Sequence, residues 1–141
     1  MLIKPVRTMI DHLSSYSTQY ETSRDFYQTV FAPLGYELVT EFTTDPQEDP
    51  EFEGRRVCAF GPKNETRFWI IETNQPVTPR HIAFTAKSHD AVRNFHKAAL
   101  SLGADDNGAP GLRPHYHANY YGAFVFDPDG NDIEAVCHFE P

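Results

Sequence analysis

A carboxylate near the end of the chain lies where the sequence pattern predicts a buried strand. Residues 124–136, FVFDPDGNDIEAV, contain two apolar runs that flank the turn-forming residues 127–131, a pattern typical of a β-hairpin. Glu134 lies inside the second run, between Ile133 and Ala135. Because burying an unpaired carboxylate costs much free energy, Glu134 must be paired, bound to a metal or exposed to water.

Two histidines are candidate partners for this carboxylate. His12 and His81 each lie in a short strand-like segment that precedes a helical pattern, and side-chain alternation places His81 opposite the apolar face of its strand. Two imidazoles and one carboxylate suit a divalent metal and leave coordination positions open for water or a substrate. The alternative is that both histidines are ordinary strand residues and that Glu134 pairs with Arg80 or Arg113.

Two amphipathic helices are expected to help position these side chains. The apolar residues in residues 22–34 and 89–102 recur with the period of one helical face. The residues expected to cap or end these helices are Thr22 or Ser23, Ser88, Gly35 and Gly103.

The strands complete an internal repeat. They are predicted at residues 10–14, 36–42, 56–60, 67–73, 81–85, 121–127 and 133–139. A second-half counterpart of residues 36–42 is hard to identify and could lie within residues 103–120. The two halves are offset by about 69 residues, and a fixed period is strong evidence about architecture. The pattern predicts one domain, residues 1–141, with two strand–helix–strand–strand–strand modules at about 8–75 and 79–141.

The chain resembles the vicinal oxygen chelate superfamily, which contains glyoxalase I, bleomycin-resistance proteins and extradiol dioxygenases. The resemblance implies an α+β fold in which two βαβββ modules form a cupped, barrel-like mixed sheet with the helices outside. It also implies a divalent metal that chelates adjacent oxygens of a substrate, with His12, His81 and Glu134 at the ligand positions. The segments that carry the resemblance are residues 10–12, 26–27, 34–36, 81–84, 127–131 and 133–134.

The chain departs from these relatives at two positions. Glyoxalase I enzymes usually have a fourth ligand in the first module, and aligning the two halves on their turn prolines puts Phe68 there, or Ile70 if the first turn is longer. Glu72 lies further along the same strand and keeps a fourth ligand possible. Extradiol dioxygenases place a tyrosine near the acidic ligand, and that position falls on Phe124, which cannot donate a proton. Trp69 is expected in the core.

The loop predicted over residues 103–120 is a candidate lid for the metal. Its length is more typical of a functional segment than of a simple connection. His117 is the first candidate for acid–base chemistry, with His115 and Tyr121 next, and Tyr120 or Tyr121 could replace the missing tyrosine. The alternative is an exposed loop whose histidines and tyrosines have no role in chemistry. The acidic segment 43–54 is likewise either a solvated loop or a mobile lid.

Composition and net charge limit the classes of binding partner and the cellular location that we expect. A net charge of −8 argues against nucleic acid and anionic membranes as partners. The sequence contains no recognisable signal peptide and no apolar stretch that would span a bilayer, so a cytoplasmic protein with reduced Cys58 and Cys137 is expected. Open sheet edges need covering, which favours a homodimer.

The predicted function is that of a metal-dependent, glyoxalase- or dioxygenase-like enzyme. It would bind one divalent ion (Fe, Zn, Ni or Mn) and act on a small substrate through lyase, isomerase or ring-cleaving dioxygenase chemistry. The alternative is a non-catalytic small-molecule binding or resistance protein of the bleomycin-resistance type. In this superfamily the two modules of one cup can belong to one chain or to two.

Overall fold

The computed structural model describes residues 9–48, 50 and 54–141. Residue 8, the predicted start of the first module, and residues 49 and 51–53 of the predicted loop 43–54 lie outside the described residues. The elements in chain order are β1 (Leu13–Ser17), α1 (Tyr20–Phe31), a 3₁₀ turn (Ala32–Leu34), β2 (Glu37–Thr43), β3 (Arg56–Gly61), β4 (Phe68–Glu72), β5 (His81–Thr85), α2 (His89–Ser101), β6 (Asp106–Leu112), β7 (Tyr121–Phe126) and β8 (Asp132–Cys137).

The strands form two four-stranded sheets with the same topology. The strand order is β1–β4–β3–β2 in the first sheet and β5–β8–β7–β6 in the second. β1 runs parallel to β4 and β5 parallel to β8, whereas the remaining pairs are antiparallel. The predicted α+β fold with two βαβββ modules is therefore confirmed. The two sheets remain separate and are not closed into a barrel.

The strand missing from the predicted repeat is β6, and it lies inside the segment predicted as a loop. Glycine and proline occupy three of its positions, Gly108, Pro110 and Gly111, which removes the apolar alternation of an ordinary strand. Its pairing with β7 is also irregular, with register shifts around Gly108. The connection that remains between β6 and β7 is residues 113–120, shorter than predicted.

The two helices differ in how they begin. Ser88 caps α2 as predicted, with its hydroxyl accepting a hydrogen bond from the backbone N–H of Ala91 at 3.1 Å. α1 begins at Tyr20, before the predicted caps, and Ser23 is instead buried inside the helix, where its hydroxyl donates to Asp129. In the described ranges, neither helix is long and apolar enough to cross a bilayer.

The apolar faces of both helices and both sheets share one hydrophobic core. Phe31 of α1 packs edge-on against Phe84 of β5, with ring centroids 4.8 Å apart. The Tyr27 hydroxyl donates to the buried Asp127 carboxylate at 2.5 Å, which joins α1 to the turn of the second module. The opposite faces of the sheets are left open and carry the candidate ligands.

Candidate metal centre

Glu134 lies on the open face of β8, as the sequence pattern predicts. Its neighbours Ile133 and Ala135 point into the core, so alternation directs Glu134 the other way. The side chain is nevertheless only 1% exposed. Gly122 of β7 makes room for it, because a Cβ at that position would lie 3.3 Å from the carboxylate Oε2.

Two side chains contact the Glu134 carboxylate. His81 Nε2 lies 2.8 Å from Oε1, and the Tyr120 hydroxyl donates a hydrogen bond to Oε2. The His81 side chain is about half exposed, so this pair lies at the edge of the buried region and can be reached from solvent. The two predicted ligands of the second module are therefore in contact.

Neither arginine considered as an alternative partner contacts Glu134 within the described structure. The Arg113 guanidinium donates to the backbone carbonyls of Gly111 and Ala109, at 2.7 and 2.8 Å. The described hydrogen bonds of Arg80 are made by its backbone, whose N–H donates to the side chain of Asn131 and whose carbonyl accepts from the N–H of Asp132. The carboxylate is thus held by an imidazole and a phenol, without a permanently charged cation.

Tyr120 provides the hydroxyl that Phe124 cannot. Phe124 lies directly opposite Glu134 in the β7–β8 ladder, and Tyr120 reaches the carboxylate from just before β7. Burial, and then the hydrogen bond to Glu134, raise the pKa of Tyr120 above its ordinary value. The hydroxyl therefore keeps its proton at neutral pH and acts as a donor.

His117 and His138 extend this group of side chains. His117 Nε2 lies 2.9 Å from His138 Nδ1, and both rings pack against the Tyr120 ring. The two imidazoles are exposed, so a chain of contacts connects solvent to Glu134 through His117, His138 and Tyr120, beside the half-exposed His81. Sequence reasoning assigned no role to His138, although its shared parity with Glu134 along the last strand was an available signal.

The other two predicted acid–base residues lie elsewhere. His115 is exposed and packs against Tyr116, with ring centroids 4.3 Å apart. Tyr121 stacks on His89 of α2 at 3.9 Å, and its hydroxyl accepts a hydrogen bond from Arg93. The Tyr121 ring thus faces the helix layer, and Tyr120 is the tyrosine that faces Glu134.

His12 lies in the other module, immediately before β1. Its Nδ1 is 2.7 Å from Asp11 Oδ1, and this hydrogen bond lowers the pKa of the Asp11 carboxyl. His12 lines a cavity of about 450 Å³ on the open face of the first sheet. Across the described residues, no three His, Cys, Asp or Glu side chains come close enough together to hold a metal. The structure therefore does not bring His12 to His81 and Glu134 within one chain.

The two modules nevertheless place their candidate residues in matching registers. The residue two positions after His12 pairs with Trp69, and the residue two positions after His81 pairs with Glu134. Trp69 is therefore the structural counterpart of Glu134. It is half-buried on the open face, beside the cavity that His12 lines, and the prediction that it lies in the core is wrong.

The first-module residues predicted to be equivalent to Glu134 lie on the face of β4 that packs against the helices. Phe68 and Ile70 are both buried beneath the helices, so neither can occupy the fourth ligand position. Glu72 shares their parity and forms an ion pair with Arg56, with Glu72 Oε2 and Arg56 Nη2 2.6 Å apart. A fourth carboxylate ligand from β4 is thus excluded on geometry, because a strand places alternate residues on opposite faces.

The donor atoms present fit a metal in part. Two ligand atoms at right angles on one ion, each about 2.1 Å from it, are about 3 Å apart, close to the 2.8 Å between His81 Nε2 and Glu134 Oε1. His12 has the arrangement of a metal-binding histidine oriented by a carboxylate, since Asp11 contacts Nδ1 and leaves Nε2 available. The second module thus offers two ligands in contact, and the first offers one oriented imidazole.

Solved structures of several proteins share this fold. A glyoxalase/bleomycin resistance protein from Albidiferax ferrireducens is 24% identical, with 95% of this chain and 100% of that chain covered and a TM-score of 0.70. A glyoxalase I variant from Zea mays is 20% identical over 90% of this chain and 46% of its own, with a TM-score of 0.65. The chain therefore spans less than half of the maize protein.

A third similar structure contains a metal. The fosfomycin resistance protein FosX from Listeria monocytogenes, in complex with Mn(II) and dihydroxypropylphosphonic acid, is 16% identical, with 93% of each chain covered and a TM-score of 0.65.

No curated protein matches the chain. The model of the Glyoxalase/Bleomycin resistance protein/Dioxygenase superfamily matches residues 9–135. With nearly the whole chain matched, the protein belongs to this superfamily.

Proposed function

We propose that the protein is a metal-dependent enzyme that acts on a small substrate through two adjacent oxygens. One divalent ion would be held by His12, His81 and Glu134, and the reaction would be a lyase, isomerase or ring-cleaving dioxygenase step. The observation that carries the proposal is the environment of Glu134, a buried carboxylate whose described partners are an imidazole and a phenol. A bound cation would supply the charge compensation that this carboxylate lacks.

The three ligands would come together between two chains. His12 is in the first module and is not grouped with His81 and Glu134 of its own chain. In a homodimer, the open face of the first sheet of one protomer can oppose that of the second sheet of the other. Among the described residues, β1 and β5 are sheet edges at matching positions with no second strand partner, so such an arrangement would also cover exposed strand edges.

Each protein group would have a separate task in this centre. The metal, when bound, would act as a Lewis acid that withdraws charge from the substrate oxygens. Tyr120 would hold Glu134 Oε2 and leave Oε1 for coordination, and Asp11 would fix the His12 ring with Nε2 available. His117, linked to His138 at the exposed end, would carry a proton between solvent and the substrate.

A non-catalytic small-molecule binder is the second candidate function. The observation that favours it is that both Glu134 oxygens already have protein partners, so the chain can keep this carboxylate buried without a metal. Protein purified without chelators separates the two candidates. An enzyme of the proposed type retains about one divalent ion per chain, whereas a metal-free binder does not bind one tightly under any loading condition.

Mixing two inactive variants tests the shared site directly. His12→Ala and Glu134→Ala should each form dimers without an intact site. After subunit exchange, roughly half of the dimers are mixed and each has one intact site, so metal content should recover to about a quarter of the wild-type value. No recovery despite exchange confirmed by native mass spectrometry would mean that the ligands come from one chain. Full metal content in either variant alone would remove that residue from the site.

A further inference from the structure

The first-module half of the proposed site is an aromatic pocket. The cavity of about 450 Å³ on the open face of the first sheet has His12 among its lining residues. Trp69 and Phe42 form two of its walls in an edge-on arrangement, with ring centroids 6.3 Å apart and planes at 76°. Val57 and Ile71 add aliphatic surface.

Part of each of these two aromatic rings is exposed to solvent. Phe42 is 46% exposed, and Trp69 is only half-buried although it lies in the middle of the sheet as the counterpart of Glu134. Aromatic side chains bury large apolar areas and pack best against the edge or face of another ring. A planar apolar group placed against the exposed faces of the indole and the phenyl ring would bury more of both.

The charged residues that line the cavity determine which ring substituents it can accept. No lysine or arginine is among its described lining residues, and its charged residue is Asp11. The described lining therefore has no lysine or arginine that could pair with a carboxylate or phosphonate substituent on a bound ring.

We propose that this centre selects substrates with an uncharged aromatic ring attached to their two chelating oxygens. The inference rests on the proposed function, because the cavity faces the substrate only if His12 belongs to the metal site. Trp69 would stack on the ring at the position where the second module supplies its carboxylate ligand. A ring that carries a carboxylate would bind more weakly than a plain ring, because the described lining has no lysine or arginine to pair with it.

Three hydroxamates that share one chelating group provide the test. Benzohydroxamate carries a ring, acetohydroxamate carries only a methyl group, and 4-carboxybenzohydroxamate adds a charge to the ring. Calorimetry on the Zn(II)-loaded protein should give benzohydroxamate at least about 10-fold tighter binding than acetohydroxamate. The carboxylated ring should bind at least about fivefold more weakly than the plain ring.

Variants of the cavity residues test where the ring of benzohydroxamate binds. Trp69→Leu should reduce the ratio of the benzohydroxamate and acetohydroxamate affinities to below about threefold, with acetohydroxamate binding unchanged. If Trp69→Leu does not fold, Phe42→Leu on the exposed strand β2 should lower the same ratio about two- to threefold. Phe139→Leu, which alters an exposed ring outside the cavity, should leave the ratio as in the wild type. Trp69 is the single tryptophan, so its emission should respond to benzohydroxamate and not to acetohydroxamate.

The outcomes separate this inference from the proposed function. Equal affinities for the first two hydroxamates, or a ratio that survives in both cavity variants, would overturn the aromatic pocket while leaving the metal site intact. If the protein binds no metal, the proposed function fails, and the pocket is then tested with benzamide and acetamide on the metal-free protein. A Trp69 response to benzamide alone would support the pocket, and no response to either would overturn it.

Discussion

The two modules have the same topology and register but present different chemistry on their open faces. Each begins with a histidine just before or at the start of its first strand, His12 or His81. At the paired position on the neighbouring parallel strand, the first module has Trp69 and the second has Glu134. One fold thus provides an apolar wall in one half and a buried charge in the other, because strand pairing fixes only the position and direction of a side chain.

The modules also differ in what covers the open face. In the second module the segment before β7 folds back so that Tyr120 contacts Glu134 and His117 contacts His138. The described part of the first module leaves Trp69 and Phe42 beside an open cavity. Under the proposed function, the second half would hold the ion and supply protons, while the first half would supply one imidazole and recognise the substrate.

The largest effect is expected when the one charged ligand is removed. Glu134→Gln keeps the shape of the side chain but removes its charge, so metal affinity should fall by more than about 100-fold. Glu72→Gln is the matched control, because Glu72 is on the strand equivalent to β8 but is paired with Arg56 on the helix side. Competition against a metal chelator measures both affinities. Equal losses in the two variants would mean that the difference between the faces does not determine metal binding.

Register explains which parts of this comparison the sequence could predict. The strand position of His81, the face of Glu134 and the capped helix α2 follow from periodicity and one capping residue, and the structure agrees. His12 was predicted inside a strand at residues 10–14 and instead lies just before β1.

Aligning the turn prolines misplaces the counterpart of Glu134, because Pro62 and Pro128 are not at equivalent positions. The ladders pair Ala59 with Trp69 and Phe124 with Glu134, so Pro62 lies one position earlier in its turn than Pro128. A shift of one residue moves every side chain of a strand to the opposite face.

Other features had no readable local signal. The sequence of β6 has no strand pattern because it contains Gly108, Pro110 and Gly111. Pairing with β7, and not side-chain propensity, makes that segment a strand. The contact between Tyr120 and Glu134 depends on how the loop folds back, which the alternation of a strand does not specify. The separation of His12 from the other two ligands depends on how the modules pack, which local periodicity does not specify.

A smaller effect, on stability, is expected at the turn between β7 and β8, where Asp129 of the second module contacts the first module. Asp129 accepts hydrogen bonds from the Ser17 hydroxyl at 2.5 Å and from the Thr18 backbone N–H at 2.9 Å. Asp129→Asn should lower the free energy of unfolding by about 1.5–3 kcal/mol, since these bonds go to a charged group. Lys63, an exposed residue of the turn between β3 and β4 in the first module, provides the control, and Lys63→Gln should be nearly neutral.

The same turn gives a pH dependence with a definite sign. Burial alone would raise the pKa of Asp129, but the hydrogen bonds from Ser17, Thr18 and Ser23 outweigh it and the pKa is lowered. A lowered folded-state pKa contributes stability above the unfolded value of about 3.9, and this contribution is lost as the pH falls through the folded value. Urea titrations at pH 7 and below pH 3 should therefore show the wild type and Asp129→Asn converging in acid. A constant difference between them would contradict this assignment.

A tenfold effect is expected from the carboxylate that orients His12. Asp11→Asn should weaken metal binding by about 10-fold, because a histidine ligand loses the partner that fixes its ring orientation and proton position. Asp25→Asn, which alters an exposed carboxylate paired with Arg24, should leave the affinity unchanged. If Asp11→Asn also had no effect, His12 would not be a ligand, and the first module would contribute only its aromatic wall.

The smallest effect is expected from the tyrosine that contacts Glu134. Tyr120→Phe removes a single hydrogen bond to Oε2 while β8 and His81 still position the carboxylate, so metal affinity should fall about threefold, within the range of one hydrogen bond. Tyr121→Phe is a closely matched control, since it deletes the neighbouring hydroxyl, which faces Arg93 on the helix side and should not influence the metal. If Tyr121→Phe weakened metal binding and Tyr120→Phe did not, the open face of the second module would be assigned incorrectly. Unchanged affinity in both variants would limit Tyr120 to keeping the carboxylate buried in the metal-free protein, where its hydroxyl remains protonated because burial raises its pKa.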